Sequence, residues 1–293
     1  MGSGIKDELK ALYGDASKHS AYQSIPDFVS AALGYSEVID EGWRGDKPRL
    51  AYLLRTRQPA DGELWGDFGA NTGFFTLSLA YRYPNVRFAA IEAHPNHALF
   101  IRRVADYFGL RNIELVQRPI GLRELNGLPK FSFLLHMNVL HHAGHDFDRD
   151  IVHTPAEFPD YAVHYLKALR TRVEGMVFQL GSNWGGDKAR ALIEAREDVA
   201  KLRLFSGWLE TAGWRIEATA YPRKAPDGTI DYHRLVAVGV QQPSQAFGGR
   251  TESQQDPQIQ ATDLDMFPGE FYRRPLFLCS SEGSPVAQQR SRT

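Results

Sequence analysis

The chain has 293 residues, 43% of them hydrophobic and 24% charged, with a formal net charge of −1. That length and apolar content suit one large domain, or one domain with additions, and supply a substantial core. The charge balance argues against a general electrostatic grip on nucleic acid or an anionic membrane, the single cysteine excludes an intrachain disulfide or a cysteine-built zinc site, and no run of about 18 apolar residues offers a spanning helix.

The opening MGSGIKDELKALYGD lacks an apolar core of signal-peptide length, so the expectation is a protein of the cytoplasm. Residues 1–60 read as a helical cap, because SIPDFVSAALGY and PRLAYLLRTR carry apolar residues at helical spacing around the polar loop EVIDEGWRGDKP. From 61 to 240 strands and helices alternate. Short apolar runs at 63–68, 87–92, 113–117, 131–138 and 175–180 read as strands covered on both faces. Helices are expected at about 73–82, 96–108, 159–172 and 187–211. The repeat implies parallel strands, since parallel neighbours need long crossovers. TAGWRIEATAYPRK and DYHRLVAVGV, joined by a turn at Pro226-Asp227-Gly228, read as an antiparallel hairpin. The expected fold is therefore a doubly wound α/β sheet of seven strands, five parallel plus the hairpin, with helices on both faces. Residues 241–262 are Gln-rich and read as a flexible linker. The apolar segment 263–279 reads as an arm packing back on the domain, and 280–293 as a disordered tail.

The stretch LWGDFGANTGFF, residues 64–75, carries most of the functional signal. Asp67, Gly69, Asn71 and Gly73 alternate through a strand-to-helix turn. Glycine permits close approach and positive φ, Asn tolerates left-handed geometry, and the helix that follows presents free N–H groups. The glycines do not make the dinucleotide fingerprint Gly-x-Gly-x-x-Gly. An acid at 67 is unhelpful to a pyrophosphate and suits a ligand with a cationic end, as in S-adenosylmethionine. Glu92, at the end of the second strand, can accept hydrogen bonds from both ribose hydroxyls, a role that identifies a nucleoside and not a particular cofactor. The bland alternative is an ordinary tight turn with a surface Glu.

DFGANTGFFTLSLA, FAAIEAHP and VADYFGLRNIELV, with LFSGWLETAGWRIEATA further on, resemble a class I S-adenosylmethionine-dependent methyltransferase over about residues 60–240, closest in the first half to its FkbM-type branch. The resemblance implies S-adenosylmethionine as cofactor, with Asp67, Gly69, Asn71 and Gly73 around its methionine end, Glu92 at the ribose, and Arg118 and Pro119 near the adenine. The chain departs from that branch at Gln117-Arg118-Pro119, where an Asp or Asn is common, and at strand four, which ends without an acid.

FLLHMNVLHHAGHDFD places His136, His141, His142 and His145 in ten residues around the end of strand four, on the edge where such sheets bind ligands. Three readings stand. Asn138, Leu140 and His141 shape the cofactor pocket; or His141 or His142 is a general base for a hydroxyl acceptor; or His141, His145, Asp146 or His153 bind a metal, at spacings that match no recognised zinc pattern. No metal is expected. Gln179, Ser182, Asn183 and Trp184 after strand five offer hydrogen-bonding groups and an aromatic face suited to a polar ring. Arg44 with Trp43 and Lys47, and Tyr272 with Arg273 and Arg274, are candidates for a lid or for contact with an anionic group.

These readings converge on methyl transfer to a small or medium polar acceptor, with oxygen of a sugar, glycan or natural product favoured and nucleic acid and membrane not favoured as partners. Methylation of nitrogen or of RNA, and a non-catalytic cofactor- or partner-binding role, are the alternatives.

Overall fold

The computed structural model describes residues 4–14, 23–37, 45–187, 189–192, 198–236, 258–260 and 274–281. Nine strands among them form one sheet: β1 (Leu64–Phe68), β2 (Arg87–Ile91), β3 (Ile113–Val116), β4 (Phe133–Met137), β5 (Gly175–Gln179), β6 (Trp214–Lys224), β7 (Ile230–Val236), β8 (Gln258–Gln260) and β9 (Leu276–Ser281), in the order β3-β2-β1-β4-β5-β9-β6-β7-β8. The strands β1 to β5 are mutually parallel. The order reverses between β1 and β4, which opens a crevice beyond their carboxyl ends.

Nine strands stand where seven are expected. The β6–β7 hairpin forms, but β9 separates it from β5 and pairs antiparallel with both β5 and β6. The segment expected as an arm over the domain thus supplies an internal strand. Its six residues, LFLCSS, are all buried, and two of them, Ser280 and Ser281, belong to the stretch expected as a disordered tail. Of the expected linker, only Gln258–Gln260 is described, as β8 beside β7.

The helices are α1 (Ile5–Tyr13), α2 (Asp27–Leu33), α3 (Asp46–Thr56), α4 (Phe74–Arg82), α5 (Pro95–Phe108), α6 (Phe158–Leu169) and α7 (Asp198–Thr211). Leu134, Met176 and Phe178 point into one layer with Phe158, Tyr165 and Leu209 of α6 and α7. Their strand neighbours Phe133, Leu135 and Val177 point into the other, with Tyr52, Phe75 and Leu79 of α3 and α4. Both faces are therefore apolar, which removes the polar alternation of a half-exposed strand; each fully buried Leu or Phe contributes roughly 1.5–3 kcal/mol of transfer free energy. The cap helix α1 packs on α5 through Leu9, Phe100 and Val104.

Helix α7 starts at Asp198, against an expected start at 187. Gly185 and Gly186 take φ of 60° and 75°, and Asp187 makes a local turn, accepting from the Ala189 N–H at 2.9 Å, instead of opening a helix. No helix among the described residues is long and apolar enough to cross a membrane.

Candidate functional site

The turn after β1 is built for close approach. Gly69, Asn71 and Gly73 take φ of 65°, 52° and 81°. A Cβ at Gly69 would lie 2.7 Å from Val139 Cγ2, and one at Gly73 2.7 Å from Ile101 Cγ1, so any side chain there displaces a neighbour as well as straining the backbone. The Gly69 and Ala70 N–H groups both donate to the Ile91 carbonyl, at 2.8 and 3.0 Å, which ties the turn to the end of β2.

Glu92 completes that tie. Its Oε2 accepts from the Asn71 N–H and its Oε1 from the His94 N–H, each at 2.7 Å. Burial raises the Glu92 carboxyl above the ordinary carboxylate range, and the two N–H donors oppose that shift. Each carboxylate oxygen keeps a second lone pair for a ligand hydroxyl. Asp67 is buried next to it, with Oδ2 accepting from Thr76 Oγ1 at 2.7 Å. Burial pushes its carboxyl up to about 7 against the Thr76 hydrogen bond, and the Glu92 charge adds to the rise.

A cavity of about 340 Å³ opens here, lined by Gly69, Asn71, Glu92, Arg118 and Asn138 of the residues expected at a cofactor, and by Phe68, Ile91, Ala93, His94, His97, Pro119 and Ile120. Its volume lies within the range of small-molecule sites. Asn71 is a residue of the cavity wall, and its Oδ1, like Thr72 Oγ1 in the next residue, is buried with no hydrogen-bond partner. Such orphaned groups call for a ligand or water. An acceptor amide oxygen, a hydroxyl, free lone pairs on Glu92 and a glycine turn without Cβ atoms fit a nucleoside that carries a cationic, hydrogen-bonding end. Asp67 and Gly73 lie behind this surface and shape it without lining it.

The histidines separate. His142 lines the cavity, as do Asp146 and Phe147. Asp146 is shared: its Oδ2 lies 2.6 Å from His142 Nδ1 and its Oδ1 2.7 Å from His145 Nδ1. His141 is buried behind His142, ring centroids 4.3 Å apart. Burial first, then the charges of His142 and Arg274, hold its pKa well below the ordinary imidazole value. His136 is enclosed in the core among Phe68, Tyr165 and Phe178. No group of three or more His, Cys, Asp or Glu among the described residues could hold a metal ion.

The residues expected at an acceptor fare differently. Gln179 is fully buried and its amide is taken up by Asn138, Arg49 and Arg274. Trp184 is buried, its Nε1 donating to the Ala143 carbonyl at 2.6 Å and its ring covered by Arg190 at 4.1 Å. Asn183 is partly exposed in the turn that bridges to Ala191. Arg44 and Tyr272 lie outside the described residues. Sequence reading passed over His94 and His97 on the cavity wall, although EAHPNH sets both within five residues of Glu92, with Pro95 starting α5. It also passed over the buried Asp46–Arg49 pair, which no local pattern marks.

No protein-family model matches the chain, and no characterised protein matches it in sequence. Solved structures resemble it at low identity. The precorrin-6y C5,15-methyltransferase of Geobacter metallireducens GS-15 is 18% identical over 63% of this chain and 81% of its own, with a TM-score of 0.41. A SAM-dependent methyltransferase of Aquifex aeolicus is 13% identical over 75% and 93%, with a TM-score of 0.42. The N-terminal domain of EvdMO1, solved with SAH bound, is 17% identical over 75% and 90%, with a TM-score of 0.47. Likeness at this level transfers no function.

Proposed function

We propose that the protein transfers a methyl group from S-adenosylmethionine to a hydroxyl of a small or medium polar acceptor, such as a sugar, a glycan or another natural product. The observation that carries the donor half is buried Glu92, held by two backbone N–H groups at the end of β2 and still facing a 340 Å³ cavity beside the orphaned amide oxygen of Asn71. In this reading Glu92 accepts the ribose hydroxyls. Asn71 and Thr72 take the amino-acid end, and Arg118, Pro119 and Ile120 border the base. Bound there, the cofactor supplies an electrophilic methyl on a sulfonium. Binding and alignment supply most of what such a displacement needs.

For the acceptor half, His142 is the member of the 136–145 histidine cluster that lines the cavity. Asp146 Oδ2 lies 2.6 Å from His142 Nδ1, close enough to set the orientation of the ring. The acceptor proton would be taken at Nε2, the nitrogen facing away from Asp146. His141, buried and strongly disfavoured from charging, supports the wall and is not the base in this reading.

Calorimetric titration with S-adenosylhomocysteine tests the donor half. Wild type binds, and Glu92→Ala weakens binding on the order of 100-fold, since it removes two ligand bonds of the charge-assisted kind, about 1.5 kcal/mol each at the least. A folded wild-type protein that gives no heat of binding sinks the assignment. With an acceptor in hand, His142→Ala lowers kcat by about 10²–10³ and leaves S-adenosylhomocysteine affinity within a few-fold, the ordinary size of a general-base contribution. An unchanged kcat removes His142 from the chemistry and favours an acceptor that needs no base.

A further inference from the structure

Asn138 stands where β4 gives way to the cavity wall, in a left-handed conformation with φ of 59°. Asn takes this backbone at lower cost than most residues but not for nothing, and its surroundings hold it there. Its N–H donates to the Gln179 carbonyl at 2.7 Å. Its Nδ2 donates to Gln179 Oε1 at 2.9 Å, and its Oδ1 accepts from Arg274 Nη1 at 2.9 Å. Gln179, fully buried at the end of β5, relays this to two distant segments. Its Oε1 also accepts from Arg49 Nη1 at 3.1 Å, and its Nε2 donates to the Arg274 carbonyl at 3.1 Å. Arg49 is itself fixed, paired with Asp46 at 2.5 Å and lying over the Phe75 ring at 5.3 Å. Helix α3, strands β4 and β5 and the residue leading into β9 thus close one set of hydrogen bonds, three of its members buried or nearly so, directly behind the cavity.

We propose that Arg49, through Gln179, and Arg274, both directly and through Gln179, are positioning residues that hold Asn138 against the donor cavity, so that α3 and the segment leading into β9 jointly support the site. The proposal rests on reading the cavity as the cofactor site. Buried hydrogen-bond networks of this kind specify one arrangement when every member is satisfied, and lose it when one is removed. Removing Arg274 leaves the Asn138 carboxamide oxygen without its donor and frees the residue to leave its costly backbone conformation. The wall then presents a different surface to a ligand, although Arg274 never touches it.

The test is a double-mutant comparison with two readouts. In the wild-type background Arg274→Ala weakens S-adenosylhomocysteine binding about tenfold. In an Asn138→Gly background, where glycine adopts positive φ without a side-chain anchor, the same change at 274 has no further effect, whatever Asn138→Gly does alone. Equal weakening in both backgrounds means that Arg274 acts directly or by general destabilisation, and overturns the proposal, as does full affinity for Arg274→Ala. The second readout needs no ligand and separates failure of the network from failure of the cofactor reading. Amide hydrogen exchange at Asn138, whose N–H is bonded to Gln179, speeds up about tenfold in Arg274→Ala and in Arg49→Met, while amides in α6 keep wild-type protection. Unchanged exchange at Asn138 overturns the proposal even if the ligand binds, and faster exchange supports it even if it does not.

Discussion

Replacing Asp46 by Ala lowers the unfolding free energy by about 3–5 kcal/mol, the usual cost of removing one partner from a buried ion pair. Asp46 and Arg49 are 1% and 4% exposed. The carboxylate serves two donors, Arg49 Nη2 at 2.5 Å and the Ser24 N–H at 2.9 Å. Asp46→Ala takes the carboxylate partner from a guanidinium in a medium that solvates it poorly, where the Gln179 amide, the Gly45 carbonyl, the Met137 sulfur and the Phe75 ring are among its neighbours. It also removes an acid from the first turn of α3, a smaller loss of about 0.3–1 kcal/mol. Against a typical domain stability of roughly 5–15 kcal/mol this is a large fraction. Urea unfolding, with slope as well as midpoint recorded, measures it. The pair Asp46→Leu with Arg49→Met should recover most of the loss, because it exchanges a desolvated ion pair for apolar contact. A cost near 1 kcal/mol for Asp46→Ala would mean that water reaches Arg49 and that the cap is looser than these contacts imply.

The ion pair also marks the boundary of what sequence could reveal. Local signals survived well. The glycine turn, Asn71 and Glu92 lie within 24 residues of one another, and each is constrained by its own backbone, by φ at 69, 71 and 73 and by strand termination at 92. The parallel strands were visible because burial on both faces leaves continuous apolar runs such as FLLHM and GMVFQ. The place of β9 was not visible. A short apolar run, LFLC, after a Gln-rich stretch is equally consistent with an arm or a strand, and its partners at 175–178 and 214–220 lie far away along the chain. The hairpin reading of β6 and β7 was sound locally, yet it could not say that a later segment would take the place beside β5. For the same reason Gln179 looked like an acceptor contact. Its amide is consumed by partners 130, 41 and 95 residues distant, and no spacing rule reports such meetings. The four histidines His136, His141, His142 and His145 lie within ten residues of sequence, and that closeness leaves their separate fates unmarked. Strand alternation on β4 and the tight turn after it send His136 inward, His141 behind the wall and His142 to the cavity.

His136 yields the second large effect, and it appears in acid. Both ring nitrogens are buried without a hydrogen-bond partner, inside a cage formed by Phe68, Tyr165 and Phe178 with ring centroids 5.6–5.8 Å away. Burial lowers its pKa from 6.5 to about 4. The unfolded chain therefore binds a proton below about pH 6.5 that the folded protein refuses until about pH 4, and in that window stability falls as pH falls. The contribution is intact above the unfolded value and is lost going down, with a total on the order of 3 kcal/mol. His136→Phe removes the titration and puts a hydrocarbon ring among aromatic neighbours of similar size. It also removes an unsatisfied buried polar group, which is worth roughly 1–3 kcal/mol at any pH. The variant should thus be more stable than wild type near neutrality and gain a further margin of about 2–3 kcal/mol on going from about pH 7.5 to about pH 4.5. The difference between the two proteins is the quantity to follow, because Asp67 and Glu92, with raised carboxyl pKa values, act in the opposite sense and cancel between them. Urea unfolding of both across that range decides the matter. Parallel stability curves would mean that His136 reaches a proton partner when folded, and the aromatic cage would then be the wrong description of its surroundings.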